Sequence, residues 1–193
     1  VAKDYNIKID QGADWYLDLD YTDSDGVEID LSGYTAKMQF REYAESADAP
    51  VTLQALKATV TNASASGGIV TYTAANSFTA GQKVTIRNIV PSAYNLTNAT
   101  IASANSTTFT VASTVTGTWT APVTGEPARI AYADDGILIT PETGHLSIHA
   151  TAAETADLTA RQYQYDLHIV SSDGIVTRLI QGIATIDDQV TRD

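Results

Sequence analysis

Cysteine is absent, which removes disulfides, thiolate metal sites and cysteine nucleophiles together. Positive charge is scarce: 11 Lys and Arg stand against 23 Asp and Glu, leaving a formal net charge of −12. A balance this acidic argues against a nucleic-acid binder that tracks phosphates. Long apolar runs are missing too, and none approaches the roughly 18 residues that a membrane-spanning helix needs. The opening Val1-Ala2-Lys3-Asp4-Tyr5-Asn6 does not have the layout of a signal peptide. What is present is a chain of 193 residues with 44% hydrophobic content, enough to bury a core in one ordinary domain, or in one that carries a smaller second. The expectation is a soluble acidic protein with no nucleic-acid or membrane partner.

The charge is unevenly spread. Between Lys57 and Gly125 the basic residues are Lys57, Lys83 and Arg87, and there is no Asp or Glu. That segment carries +3 and the remainder of the chain −15. Ser and Thr supply 23 of its 69 residues, but apolar runs recur at Ile69-Val70-Thr71-Tyr72, Val84-Thr85-Ile86 and Phe109-Thr110-Val111. Gly67-Gly68, Ala80-Gly81-Gln82 and Pro91-Ser92 punctuate them as turns do. The pattern predicts a small all-β module of four or five strands.

The flanks have a different texture. Trp15, Leu17, Leu19 and Tyr21 alternate with Tyr16, Asp18 and Asp20, a period of two that gives one apolar face and one charged face. Asp23-Ser24-Asp25-Gly26 turns the chain, after which Val27, Ile29 and Leu31 are expected to resume the apolar face. Tyr34, Ala36, Met38 and Phe40 form the next alternating set. Later come Ile137-Leu138-Ile139, then Leu146/Ile148/Ala150, then Tyr163/Tyr165/Leu167/Ile169. Ser172-Asp173-Gly174 joins the last of these to Ile175–Ile186, a hairpin signal. Ala-rich Thr151–Arg161 is the one stretch suited to a short helix. Short antiparallel strands with polar turns predict an all-β fold, an immunoglobulin-like antiparallel β-sandwich. Residues 1–56 and 126–193 would pair to form it, with residues 57–125 inserted in a loop, a tolerated arrangement because closure entropy grows slowly with loop length.

The segments Ile9-Asp10-Gln11-Gly12-Ala13-Asp14-Trp15 and Ile29-Asp30-Leu31-Ser32-Gly33-Tyr34-Thr35-Ala36-Lys37-Met38-Gln39-Phe40-Arg41 resemble those of a group of tailed-bacteriophage virion proteins. That group opens with a "QGA" strand and carries a "DLTGYTA" signature. Tyr163-Gln164-Tyr165-Asp166-Leu167, Val176–Gly182 and the closing Val190-Thr191-Arg192 fit the same group. The inserted segment is similar to a module of marine and cyanobacterial phage structural proteins, around Gly81–Ile86 and Thr107–Val111. The resemblance implies a non-enzymatic structural component of the virion, in the tail or baseplate. It would be made in the host cytoplasm and assembled in several copies with other virion proteins. It implies no catalytic, cofactor-binding or metal-binding residue and no cofactor. Two rival readings are a head decoration or neck protein, and a carbohydrate- or receptor-binding module of the tail. The latter would bind host-surface glycan through the insert aromatics Tyr72, Phe78, Tyr94 and Trp119, although core packing is the favoured account of Tyr72 and Phe78.

Motifs that carry chemistry are weak. His145 and His149 on a strand share one face but lie roughly 13–14 Å apart, too far to ligate one ion. On a helix the same spacing could chelate. Leu146/Ile148 alternation favours the strand, so both histidines are expected to face outward, as is His168 beside Asp166 and Gln164. Asp18, Asp20, Asp23, Asp25, Glu28 and Asp30 suggest calcium, but an EF-hand register through Asp25-Gly26 puts Tyr21 at its first position and no Glu at its twelfth. Asp134, Asp135 and Glu142 could be imagined as a glycosidase pair, but neighbours on a strand point to opposite faces. The Asn-x-Ser/Thr triplets at Asn62, Asn95, Asn98 and Asn105 read as chance in a Ser/Thr-rich segment.

Overall fold

The computed structural model describes residues 2–117, 119, 129–159 and 161–189. Strands β1 (Lys3–Asp4), β2 (Ile7–Asp10), β3 (Trp15–Asp20), β4 (Thr35–Arg41) and β5 (Val51–Thr59) come first. The acid-free segment supplies β6 (Asn62–Ser66), β7 (Ile69–Thr73), β8 (Lys83–Arg87), β9 (Leu96–Ala104) and β10 (Thr108–Ala112). The chain returns through β11 (Ile130–Asp135), β12 (Ile137–Thr140), β13 (His145–Ala150), helix α1 (Ala152–Ala156), β14 (Gln162–Val170) and β15 (Val176–Asp187). The short helix falls inside the Ala-rich stretch and starts with a reciprocal cap: Glu154 N–H donates to the Thr151 hydroxyl, and Thr151 N–H to the Glu154 carboxylate.

The fold is all-β, with one large sheet and one small. The large sheet runs β1-β15-β14-β4-β5-β11-β8-β9-β10-β7-β6, with β2 also beside β15. The small one runs β12-β13-β3. Neighbouring strands are antiparallel, except that β1 and β2 each pair with β15 in parallel. The alternation read in the sequence sets the faces. Met38 and Phe40 on β4, Leu167 and Ile169 on β14, and Leu146 and Ile148 on β13 are buried between the two sheets in a first hydrophobic core.

A second core gathers the acid-free segment, with Val70, Tyr72, Val84, Ile86, Phe109 and Val111 fully buried. Strands β5 and β11 serve both cores. Val51, Leu53 and Ala55 face the first, whereas Leu56 and Ala58 face the second. On β11, Ile130 and Tyr132 face the first, Ala131 and Ala133 the second. The two cores thus lie on opposite faces of one strand pair. At the neck Val60 N–H donates to the Arg129 carbonyl at 2.8 Å. The expected boundary at residue 57 falls within β5, which continues to Thr59, and the one at residue 125 lies outside the described residues, as do Val190-Thr191-Arg192.

One expectation needs correction. Val27, Ile29 and Leu31 do not form a strand, and Val27 does not join the apolar face, although Ile29 packs against the first core and Leu31 enters it. The Asp23 carboxylate accepts the N–H groups of Asp25 and Val27, both at 2.9 Å, and this tight turn leaves a single bridge, Thr22 to Glu28. Val27 is 61% exposed, and Leu31 alone of the three is fully buried. Strands β5 and β11 themselves, and the small-residue strands β6 and β9, were not visible as alternating runs.

Candidate functional site

The segment Asp30–Ala36 lies against β5 and β11, the strands that the two cores share. The Asp30 carboxylate accepts Ser32 N–H at 2.8 Å, and Tyr34 N–H closes a turn on the Leu31 carbonyl at 3.0 Å. Gly33 takes the third position of that turn with φ +84°, a conformation that favours glycine. Its N–H donates to the Tyr132 hydroxyl, and its carbonyl accepts Lys57 Nζ at 2.9 Å. Burial pushes the Tyr132 hydroxyl up to about 12, the Gly33 N–H drawing it the other way. Ser172, in the turn between β14 and β15, packs beside Gly33. Leu31 N–H bonds the Pro141 carbonyl at 2.9 Å, and the neighbouring Glu142 pairs with Arg87 of β8. Three loops of the sandwich therefore meet the neck of the second core at one end.

The outer face of β3 and β13 carries the histidines. Register places His145 opposite Asp20, Ser147 opposite Asp18 and His149 opposite Tyr16. His145 Nδ1 is 2.7 Å from Asp20 Oδ1, and its Nε2 is 3.7 Å from Asp18 Oδ1. The His149 ring stacks on Tyr16 at 4.4 Å between centroids, with Nε2 3.3 Å from Asp14 Oδ1. The strand placement and shared face agree with the sequence reading. The carboxylate partners, 125 and 135 residues away, were not foreseen. Among the described residues no three His, Asp or Glu side chains converge where a metal ion could sit.

β3 is the last strand of its sheet. Tyr21 N–H donates to the Gly144 carbonyl, so the odd-numbered residues of β3 turn their backbone groups toward β13. Tyr16, Asp18 and Asp20 turn theirs to the open side, where no strand pairs among the described residues. Trp15, Leu17 and Leu19 point into the first core yet stay half-exposed, while Leu146 and Ile148 on β13 are fully buried.

A depression of about 890 Å3 lies open on the outer face of β4, β14 and β15. Several of its polar groups are matched to one another: Arg178 pairs with Asp166 and donates to Gln181, Gln181 donates to Asp4, and Arg41 donates to Gln39. His168 stands on the same face. Asp134 accepts Lys83 N–H at 2.6 Å, Asp135 accepts Gln54 Nε2 at 3.0 Å, and Glu142 holds Arg87, so the three carboxylates serve three separate partners. Burial raises the Asp134 carboxyl above its ordinary value.

The insert aromatics offered as a glycan platform are core residues, which corrects that reading. Tyr72, Phe78, Tyr94 and Trp119 are all buried. Tyr72 stacks on Phe109 at 5.0 Å, and its hydroxyl donates to the Tyr94 carbonyl at 2.8 Å. Rings with both faces covered cannot stack on a sugar. No family model and no curated protein matches the chain.

Proposed function

We propose that the chain is a non-enzymatic structural component of a tailed-phage virion, placed in the tail or baseplate and present in several copies. Its outer part is read as an immunoglobulin-like sandwich of the variable type. Four features support that finer assignment. β2 adds in parallel to β15, the order β15-β14-β4-β5-β11 extends one sheet, and β12-β13-β3 forms the other. In addition, Thr159 N–H donates to the Tyr163 hydroxyl at 3.0 Å, near the start of β14 and just after α1, where such domains place a tyrosine corner.

The observation that carries the functional reading is the place of Asp30–Ala36. The segment most like the phage signature is fastened through Gly33, Tyr132 and Lys57 to β5 and β11, the strand pair that backs the second core. A shared segment fastened to the strand pair common to two cores suits a part built to hold a fixed shape within an assembly. Gold-labelled antibody against the chain, applied to purified tailed particles from cells that express it, tests this. Label at the tail or baseplate is the expected result. Label on the head would move the protein to a decoration or neck role, and particles free of it would end the virion reading.

A further inference from the structure

We infer that the open side of β3 is a docking edge for an extended segment of another protein, one whose residues alternate between apolar and basic. This rests on the edge alone and stands whether or not the chain belongs to a particle. Tyr16, Asp18 and Asp20 present their backbone N–H and C=O groups there in a row, an unused half of a β-ladder. Trp15, Leu17 and Leu19 leave apolar surface at the same margin that one more strand would cover. An added strand would place every second side chain over these three, and the intervening ones on the outer face beside Asp18 and Asp20.

Charge selects the occupant. A second copy pairing through its own β3 about a two-fold axis would bring Asp18 and Asp20 against their equivalents, and like charges across a strand pair oppose it. A segment with Lys or Arg on the outer positions meets those carboxylates favourably. The acidic face thus bars self-association without sealing the edge.

The test uses the whole chain, labelled with 15N and titrated with a capped seven-residue peptide alternating Val and Lys, beside a counterpart alternating Val and Glu. Binding of the Lys peptide should shift the amide signals of Tyr16, Asp18 and Asp20 and slow their hydrogen exchange. The Glu peptide should bind about tenfold more weakly, and the double variant Asp18→Lys, Asp20→Lys should reverse the preference. Asp18→Pro removes one donor from the open side while sparing the ladder to β13, and should weaken binding. N-methylation of alternate peptide bonds in the Lys peptide makes the same cut from the partner's side, and covers the case in which Asp18→Pro fails to fold. No binding at about 1 mM, signals that move only in the depression on β4, β14 and β15, or binding indifferent to N-methylation would each overturn the proposal.

Discussion

The two cores meet on β5 and β11 but are built from different materials. The first packs branched and long aliphatic side chains with Met38 and Phe40 between two sheets, whereas the sequence from Lys57 to Gly125, which supplies most of the second, holds none of the 23 Asp and Glu residues. The second packs Val and Ile side chains such as Val70, Val84, Ile86 and Val111 with five alanines, Ala58, Ala63, Ala74, Ala131 and Ala133, around Tyr72, Phe78, Tyr94 and Phe109. Burial raises the Tyr72 hydroxyl well above its ordinary value, and a backbone carbonyl satisfies it. Because the alanines contribute little volume, this core depends heavily on each ring. The dependence between the two is unequal as well. β5 is hydrogen-bonded to β4, so the sandwich holds the walls it lends, and the surface it lends on β11 is two alanines. The sandwich is therefore expected to stand without the second core, and the second core not to stand without the sandwich.

The chain has two tryptophans, one in each region, so Trp119→Phe leaves Trp15 to report the first core, and Trp15→Phe leaves Trp119 to report the second. The largest effect is expected from Gly136→Ala. Gly136 turns the chain from β11 into β12 with φ +90°, and an added Cβ would lie 2.6 Å from Leu53 Cδ2 and 3.1 Å from the His149 carbonyl. Positive-φ strain and overpacking add to about 4–6 kcal/mol, and both tryptophan transitions should fall together on chemical denaturation. Phe109→Ala should cost about 3–4 kcal/mol in the Trp119 transition and leave that of Trp15 nearly in place. Equal shifts in both would show the cores to be one cooperative unit.

Excision is gentler on the sandwich. Val60 and Arg129 are already joined by a backbone bond, so replacing residues 61–128 with Asn-Gly closes β5 and β11 as a hairpin. The Trp15 transition should lose no more than about 3 kcal/mol, the cost of uncovering Leu56, Val60 and three alanines. An aggregated or molten product would invert the dependence argued above. Tyr132→Phe removes the acceptor from Gly33 N–H and should cost about 1–2 kcal/mol, measurable as a shift in urea midpoint. Asp134→Asn is the mildest. Burial raises the folded carboxyl above 3.8, so the folded state takes up the proton more readily, and the ionised form at neutral pH weighs against folding. The amide keeps an oxygen for Lys83 N–H, so the variant should melt slightly higher at pH 7. That advantage should fade as pH falls through the raised value and be gone below 3.8. A variant that melts lower at pH 7 would contradict the assignment.

Much of the sandwich was legible because its strands have one wet and one dry face. β4, β13 and β14 bury alternate residues, and their sequences alternate accordingly. β5 and β11 escaped because each serves two cores. In Val51–Thr59 the apolar positions switch phase between Ala55 and Leu56, as the strand leaves one core and backs the other. β6 and β9 escaped because Asn62–Ser66 has no bulky side chain and Leu96–Ala104 very few, their pairing coming from β7, β8 and β10 instead. The open side of β3 could not be read either. Whether a strand has one neighbour or two depends on where β1 and β2 go, and both go to β15.

The separation of charge has a consequence at the isoelectric point. The chain is neutral overall near pH 4.4, but the segment between Lys57 and Gly125 has no carboxyl group to protonate and keeps its +3 there. Neutrality of the whole then requires the remainder to carry about −3. The molecule is therefore a dipole at the pH where its net charge vanishes. In dilute salt such molecules attract head to tail, acid-rich part to acid-free part, and salt that shortens the screening length to about 10 Å weakens the attraction. Solubility near pH 4.4 should thus rise with added salt, the reverse of what an evenly charged protein far from neutrality shows.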